Sequence, residues 1–326
     1  MIIENSKTYN LTDVENLFFR PTFCGKSAEE LGIRVLYNMP IPTKVPLFTH
    51  NSGILRSFSS GWQGGTASSY AQKEIDMMKL KAESSYSAED YFSTIYEMIT
   101  ASSDVNLGDL TGTDLEKAET ELFRRSLAKS IYATMWFGDV DGNVSEHNSF
   151  NGFLTQILNA AESDSSIPVT IYGTDADVSV IALLQGAWTS AADDLRSLAS
   201  EGNLCYFVSS DVYDAYQFYL DQNGLTTVCT DTMAARPTLS YHGIPLVEIP
   251  SNGCELNLCG SFCLLTDRRN FILALNTADS PEKEIRMWYN PDEMENRQRV
   301  VFLAGTTIVD EYLVSGTIYN AGVIFE

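Results

Sequence analysis

The residue groups in this chain whose types and spacing could do chemistry are few. Asp139-Val-Asp-Gly-Asn143 alternates oxygen-bearing side chains as a calcium loop does. An EF-hand loop needs glycine at its sixth position and a bidentate glutamate at its twelfth; here glycine stands fourth and Phe150 twelfth, so the run reads as a polar turn. Gly61-Trp-Gln-Gly-Gly65 lacks the Lys-Ser/Thr of a phosphate-cradling loop and opens no evident helix. Cys254, Cys259 and Cys263 are spaced more widely than zinc knuckles, with His242 a strand and a turn away, so they read as buried strand thiols. Only His50, His147 and His242 could serve as a hydrolase base, and neither a G-x-S-x-G elbow nor an H-E-x-x-H motif occurs. Asp193 and Asp194 are neighbours on a solvated helix surface, whereas a glycosidase sets its two carboxylates across a cleft. No catalytic residue, no cofactor and no metal is expected.

The elements left to explain are structural. The 326 residues are 44% hydrophobic, with 16 Phe, 16 Tyr and 4 Trp, which is enough to bury a substantial core. Met1-Ile-Ile-Glu-Asn-Ser-Lys interrupts any signal-like apolar stretch with a carboxylate, and no run reaches the roughly 18 residues of a membrane span, so no membrane association is expected. With no export signal, the six cysteines are expected as reduced thiols. The formal net charge of -22, without a Lys/Arg-rich segment, argues against sequence-specific DNA binding; it is compatible with a container that must not stick to its cargo.

Along the chain, residues 1–44 mix polar and apolar types without a period, and Pro21, Pro40 and Pro42 block regular pairing, so they read as an extended arm. Residues 45–72 carry one charge, Arg56, yet hold Phe58, Trp62 and Tyr70, which suits a long hairpin packing on something else better than a solvated tether. Lys73 to Lys81 alternates as a strand, and Ser87-Ala-Glu-Asp caps a helix reaching about Thr100. Thr113-Asp-Leu-Glu116 has the capping-box pattern, Leu115, Leu122, Leu127, Ile131 and Met135 form an apolar stripe, and Gly138 follows as a stop. That predicts a helix of about 24 residues, roughly 36 Å long. Beyond it the pattern predicts a strand opening at Pro168, a helix from about Asp177 to Ala199, a strand over 204–208 and a helix from Ser209 to about Leu220. Further strands follow over 238–241, 244–249, 260–265, 271–275, 284–289, 299–304 and 312–319.

This order of blocks resembles the Hong Kong 97-type major capsid fold of tailed bacteriophages: arm, extended loop, strand, short helix, spine helix, axial domain, returning strands. Trp136-Phe-Gly-Asp139 with Phe150-Asn-Gly-Phe-Leu-Thr-Gln156 resembles the family's stretch where the spine helix ends. Asn203-Leu-Cys-Tyr-Phe-Val-Ser-Ser-Asp-Val-Tyr-Asp214 resembles the strand-then-helix of the axial domain, Tyr241-His-Gly-Ile-Pro-Leu-Val247 the strand pair after it, and Leu264-Leu-Thr-Asp-Arg-Arg-Asn-Phe271 the return to the peripheral domain.

The resemblance implies an α+β Hong Kong 97-type capsid fold with an N-terminal arm (1–44), an extended β-hairpin loop (45–78) and a peripheral domain (79–165) with a long spine helix about 114–137. An axial domain (166–270), peripheral return strands (271–313) and a C-terminal strand (314–326) complete it. It implies a major capsid protein of a virion head, assembled in the host bacterial cytoplasm into hexamers and pentamers of an icosahedral shell around double-stranded DNA. Portal, scaffolding and decoration proteins are the implied partners. Phe58, Gly61, Trp62, Gly64, Gly65 and Tyr70 are the expected interface residues of the extended loop, and Leu115, Leu122, Leu127, Ile131 and Met135 the expected core of the spine helix. No long charged helical extension precedes the arm, so a separate scaffolding protein or a previously removed segment is expected. An encapsulin-like storage shell, and an α+β enzyme of another family, are the alternatives.

Overall fold

The computed structural model describes residues 27–41, 43–50, 57–61, 68–87, 109–111, 114–142, 147–173, 178–224, 239–250, 260–278, 281 and 284–319. In chain order the elements are β1 (Arg34–Leu36), β2 (Thr43–His50), β3 (Ser68–Ile75), β4 (Met78–Ser87), α1 (Asp114–Phe137), α2 (Phe153–Ser163) and β5 (Val169–Tyr172). Then come α3 (Val180–Ser190), α4 (Asp193–Ser197), β6 (Leu204–Ser209), α5 (Ser210–Gln222), β7 (Ser240–Tyr241), β8 (Ile244–Ile249) and β9 (Ser261–Asp267). The chain finishes with β10 (Phe271–Leu275), β11 (Arg286–Asn290), β12 (Glu295–Ile308) and β13 (Val314–Tyr319).

Among the described residues the strands form two large sheets and one hairpin. A six-stranded sheet has the order β5-β13-β9-β6-β8-β7. Its central strand β6, Leu-Cys-Tyr-Phe-Val-Ser, is buried along its whole length because both faces are covered, the usual reason for an unbroken apolar run. Leu204, Tyr206 and Val208 pack with Leu183, Leu184 and Ala187 of α3 and Val212 and Tyr216 of α5. Cys205 and Phe207 face the other way, into the second core. The five-stranded sheet is built on β12, which takes β4 along one edge and β11 then β10 along the other, with β1 parallel outside β10.

Helix α1 joins the two sheets. It has the expected 24 residues. Tyr132 to Phe137 are buried on all sides, since the last two turns run between the sheets. There Trp136 meets Phe153 of α2, Phe207 of the six-stranded sheet and Phe271 of the five-stranded sheet, with ring centroids 5.4, 5.1 and 5.9 Å away. The chain then doubles back. Gly138 ends the helix without a left-handed φ, so it is not the αL cap its position suggested. Its use is close approach: the Gly152 amide donates to the Gly138 carbonyl at 2.8 Å, and a Cβ on Gly152 would lie 2.6–2.7 Å from the backbone of residues 136–138.

Several sequence expectations are corrected. Residues 27–41 do not reach away as an arm: Leu31, 1% exposed, and Ile33 enter the core beneath α1, and β1 pairs with β10. The strand expected over 73–81 is two strands in different sheets, broken at Asp76-Met77, where the chain leaves the hairpin. The helix expected over 177–199 breaks at Ala191-Ala192, with ψ of 135° and 151°, so that the chain can turn and bury Leu195; Asp193 and Asp194 then occupy the first turn of α4, where the helix dipole favours carboxylates. β12 is 14 residues long instead of the expected six. Ser87, the expected cap, ends β4, and the helix expected beyond it to residue 100, the capping box at Thr113 and residues 1–26 lie outside the described residues.

Candidate assembly surfaces

The hairpin of β2 and β3 is paired from Thr43–Ile75 outward to His50–Ser68. Among the described residues its anchor is the base, where Val45 and Ile75 pack with Ile272 and Ala274 of β10. Lys73 Nζ lies 2.6 Å from Glu311 Oε1, tying the base to the turn before β13, and Lys44 pairs with Glu74 across the hairpin at 3.9 Å. Farther out, Tyr70 is exposed and Phe58 is 98% exposed; Gly61, at φ +102°, has no atom of the described residues within 4 Å of a would-be Cβ. Trp62, Gly64 and Gly65 lie outside the described residues.

A groove of about 620 Å³ runs between the outer half of α1 and the β4–β12 ribbon. Leu80, Ala82 and Phe302 form its floor and Phe123, Leu127 and Ile131 its helical wall. Of the residues expected in the spine-helix core, Leu127 and Met135 are buried and Ile131 packs against the core from a half-buried position. Leu122 is not a core residue. It is 38% exposed on the rim of the groove, because the outer half of α1 stands over the groove instead of closing onto the sheet. The side chain of Leu115 lies outside the described residues.

The opposite face of the same ribbon was not anticipated. Because β4 and β12 pair antiparallel in register, Lys79, Lys81, Glu83 and Ser85 share a face with Leu303, Val301, Arg299 and Arg297, while Leu80, Ala82, Val300 and Phe302 point to α1. The β11 pairing adds Arg286 and Trp288 to the outer face, Trp288 being 43% exposed. Lys81 and Arg299 share Glu83, at 2.6 and 3.2 Å, and Arg297 is paired with Glu293 and Glu295. Lys79 and Arg286 make no ion pair among the described residues. The sequence signal was present: Lys79-x-Lys81 and Arg297-x-Arg299 place cations at period two on neighbouring strands.

The residues weighed for chemistry fall into structural roles. Asp139 accepts from the Asp141 amide at 3.1 Å and its carbonyl from Gly142 at 3.2 Å, a polar turn held by its own side chain. Cys205 and Cys263 are buried, unpaired thiols on β6 and β9; burial pushes Cys205 up to about 12 and Cys263 also upward. Cys24, Cys229, Cys254 and Cys259 lie outside the described residues. Among the described residues no cluster of three metal-ligating side chains occurs, and no helix is long and apolar enough to cross a membrane.

No protein-family model and no curated protein matches this sequence. Solved structures do. The chain described as "Capsid of native GTA particle computed with C5 symmetry" aligns at TM-score 0.54 and 12% identity over 98% of this chain and 95% of its own. "The capsid of Myoviridae Phage XM1" aligns at TM-score 0.54 and 12% identity over 97% of this chain and 100% of its own. A chain of Gordonia phage Cozz aligns at TM-score 0.54 and 11% identity, covering 95% and 93%. The fold is therefore the α+β, Hong Kong 97-type fold expected from the order of the sequence blocks, carried end to end.

Proposed function

We propose that this chain, which has the fold of tailed-phage capsid subunits, is a major capsid protein that assembles into hexamers and pentamers of an icosahedral head enclosing double-stranded DNA. The observation that carries the reading is the correspondence with capsid chains over nearly the whole length, covering 97–98% of this chain and 95–100% of theirs at TM-score 0.54. In this reading the six-stranded sheet with α3–α5 is the axial domain, and α1 with the five-stranded sheet is the peripheral domain. The β2–β3 hairpin is the extended loop, docking Phe58, Gly61, Trp62, Gly64, Gly65 and Tyr70 on a neighbouring subunit. Such a hairpin, whose described anchor lies at its base, holds Phe58 and Tyr70 in water unless a neighbour covers them.

Each contact of this kind is modest, and a subunit held on several sides gains by multivalency. Scaffolding, portal and decoration proteins would complete the head, and the acidic chain would enclose DNA without reading its sequence. The test is electron microscopy and sedimentation of the expressed protein, alone and with the genes that flank its own. Closed shells or capsomer rings are expected. Monomers under every condition would refute the proposal.

A further inference from the structure

We infer that the outer face of the β4–β12–β11 ribbon is a docking surface for the carboxylate-rich surface of a second copy of this chain. The inference rests on the shell-forming reading above and names a contact within it.

Charge decides the partner. The whole chain carries 43 acidic and 21 basic side chains. This one face nevertheless gathers five of the cations, Lys79, Lys81, Arg286, Arg297 and Arg299, against Glu83 and Glu295, with Glu293 reaching in from the β11–β12 turn. Three of the five are already engaged with these carboxylates within the chain. Lys79 and Arg286 are left over, exposed, at opposite edges of the ribbon. A duplex would ask for a row of unpaired cations tracking phosphates, whereas here carboxylates interrupt the row. A copy of this chain offers the complementary surface in quantity, since most of its charge is negative. Trp288, half-exposed beside Arg297 in the register, supplies the kind of aromatic–arginine anchor that carries interface energy.

Size sets how the contact behaves. Ten residues on each of β4 and β12 and five on β11, at about 3.3 Å along the strands and about 4.8 Å between them, give a patch of roughly 400 Å². That is about half of the ~800 Å² each partner contributes to an ordinary stable interface. The face therefore contributes within a shell, where other contacts hold the same pair of subunits, and does not dimerise free chains by itself.

The experiment is charge reversal at the two cations that have no ion pair among the described residues, Lys79→Glu with Arg286→Glu, which breaks no ion pair described within the subunit. The double variant is expected to melt as the wild type does by circular dichroism and to yield at least tenfold fewer particles by sedimentation. In parallel, mixed ¹⁴N and ¹⁵N subunits are coupled with a zero-length carbodiimide, which joins an amine only to a carboxylate in direct contact. Links from Lys79 or Lys81 to an Asp or Glu of the other isotope are expected, and reversing that carboxylate to lysine in the double variant should restore yield.

Undiminished particle yield from the double variant, with links confined to one isotope, would overturn the inference. So would loss of duplex binding by the double variant, read by anisotropy, with assembly unaffected, since the face would then serve phosphates. If the wild type forms no shells, the proposed function fails and the contact, which needs the other contacts of a shell, fails with it; wild-type shells with links confined to one isotope would sink the contact alone.

Discussion

Trp136 ties the two sheets together, and its replacement separates two costs that are usually lumped. The indole is fully buried, and its ring meets Phe153, Phe207 and Phe271. Its Nε1–H has no hydrogen-bond partner among the described residues. A buried donor left unpaired costs about 1–3 kcal/mol. Trp136→Phe removes that burden together with part of the ring; the ~40 Å³ of lost volume costs about 1 kcal/mol at ~24 cal/mol per Å³ of cavity. The two nearly cancel, so the free subunit should lose no more than about 1.5 kcal/mol. Trp136→Ala gains the same relief but empties the joint between the sheets and removes the ring contacts, each worth about 0.5–1.5 kcal/mol, for a net loss of about 3–5 kcal/mol. Urea denaturation of the unassembled subunit, followed by far-ultraviolet circular dichroism, measures both. The reasoning is refuted if Trp136→Phe destabilises as much as Trp136→Ala, which would mean the indole N–H is satisfied and contributes to the fold.

The remaining expectations follow from the same surfaces. Phe58→Ala and Trp62→Ala should each leave a folded subunit that assembles poorly; for Phe58, at 98% exposure, the loss of subunit stability should stay within about 0.5 kcal/mol, and normal particle yield would argue against the hairpin as an interface. Burial holds the Cys205 thiol near 12 and raises Cys263 as well, so both stay neutral at pH 8 and should resist iodoacetamide until the chain is unfolded; native labelling of either at the rate of a free thiol, mapped by mass spectrometry, would contradict this. The amines flanking the loop, Lys44 and Lys73, are engaged with Glu74 and Glu311 of their own chain, so mature particles boiled in detergent with reductant should give one band at 36.1 kDa, and a surviving ladder would show a covalent cross-link.

Local pattern was enough wherever one segment's own chemistry decides its state. The 24 residues of α1, the strand-to-helix step at Ser209, and the strands over 244–249 and 271–275 were legible because apolar spacing and turn residues act within a few positions. The order of such blocks was then sufficient to suggest the architecture. The tertiary structure decided what depends on contacts distant in sequence. β12 runs four residues N-terminal to its expected start because Asn296 and Gln298 occupy the buried face, where Gln298 bonds Tyr86 of β4; polar residues at inward positions hide a strand from any pattern of apolar alternation. Nothing local breaks the helix at Ala191-Ala192, since alanine favours helix; the turn is imposed by burying Leu195. Residues 27–41 read as an arm until β10 supplied the partner for β1. The cationic face became a surface only when β4, more than 200 residues from β12 in sequence, was brought into register with the β11–β12 hairpin, because hydrogen-bonded pairing, and not sequence proximity, decides which charges are neighbours.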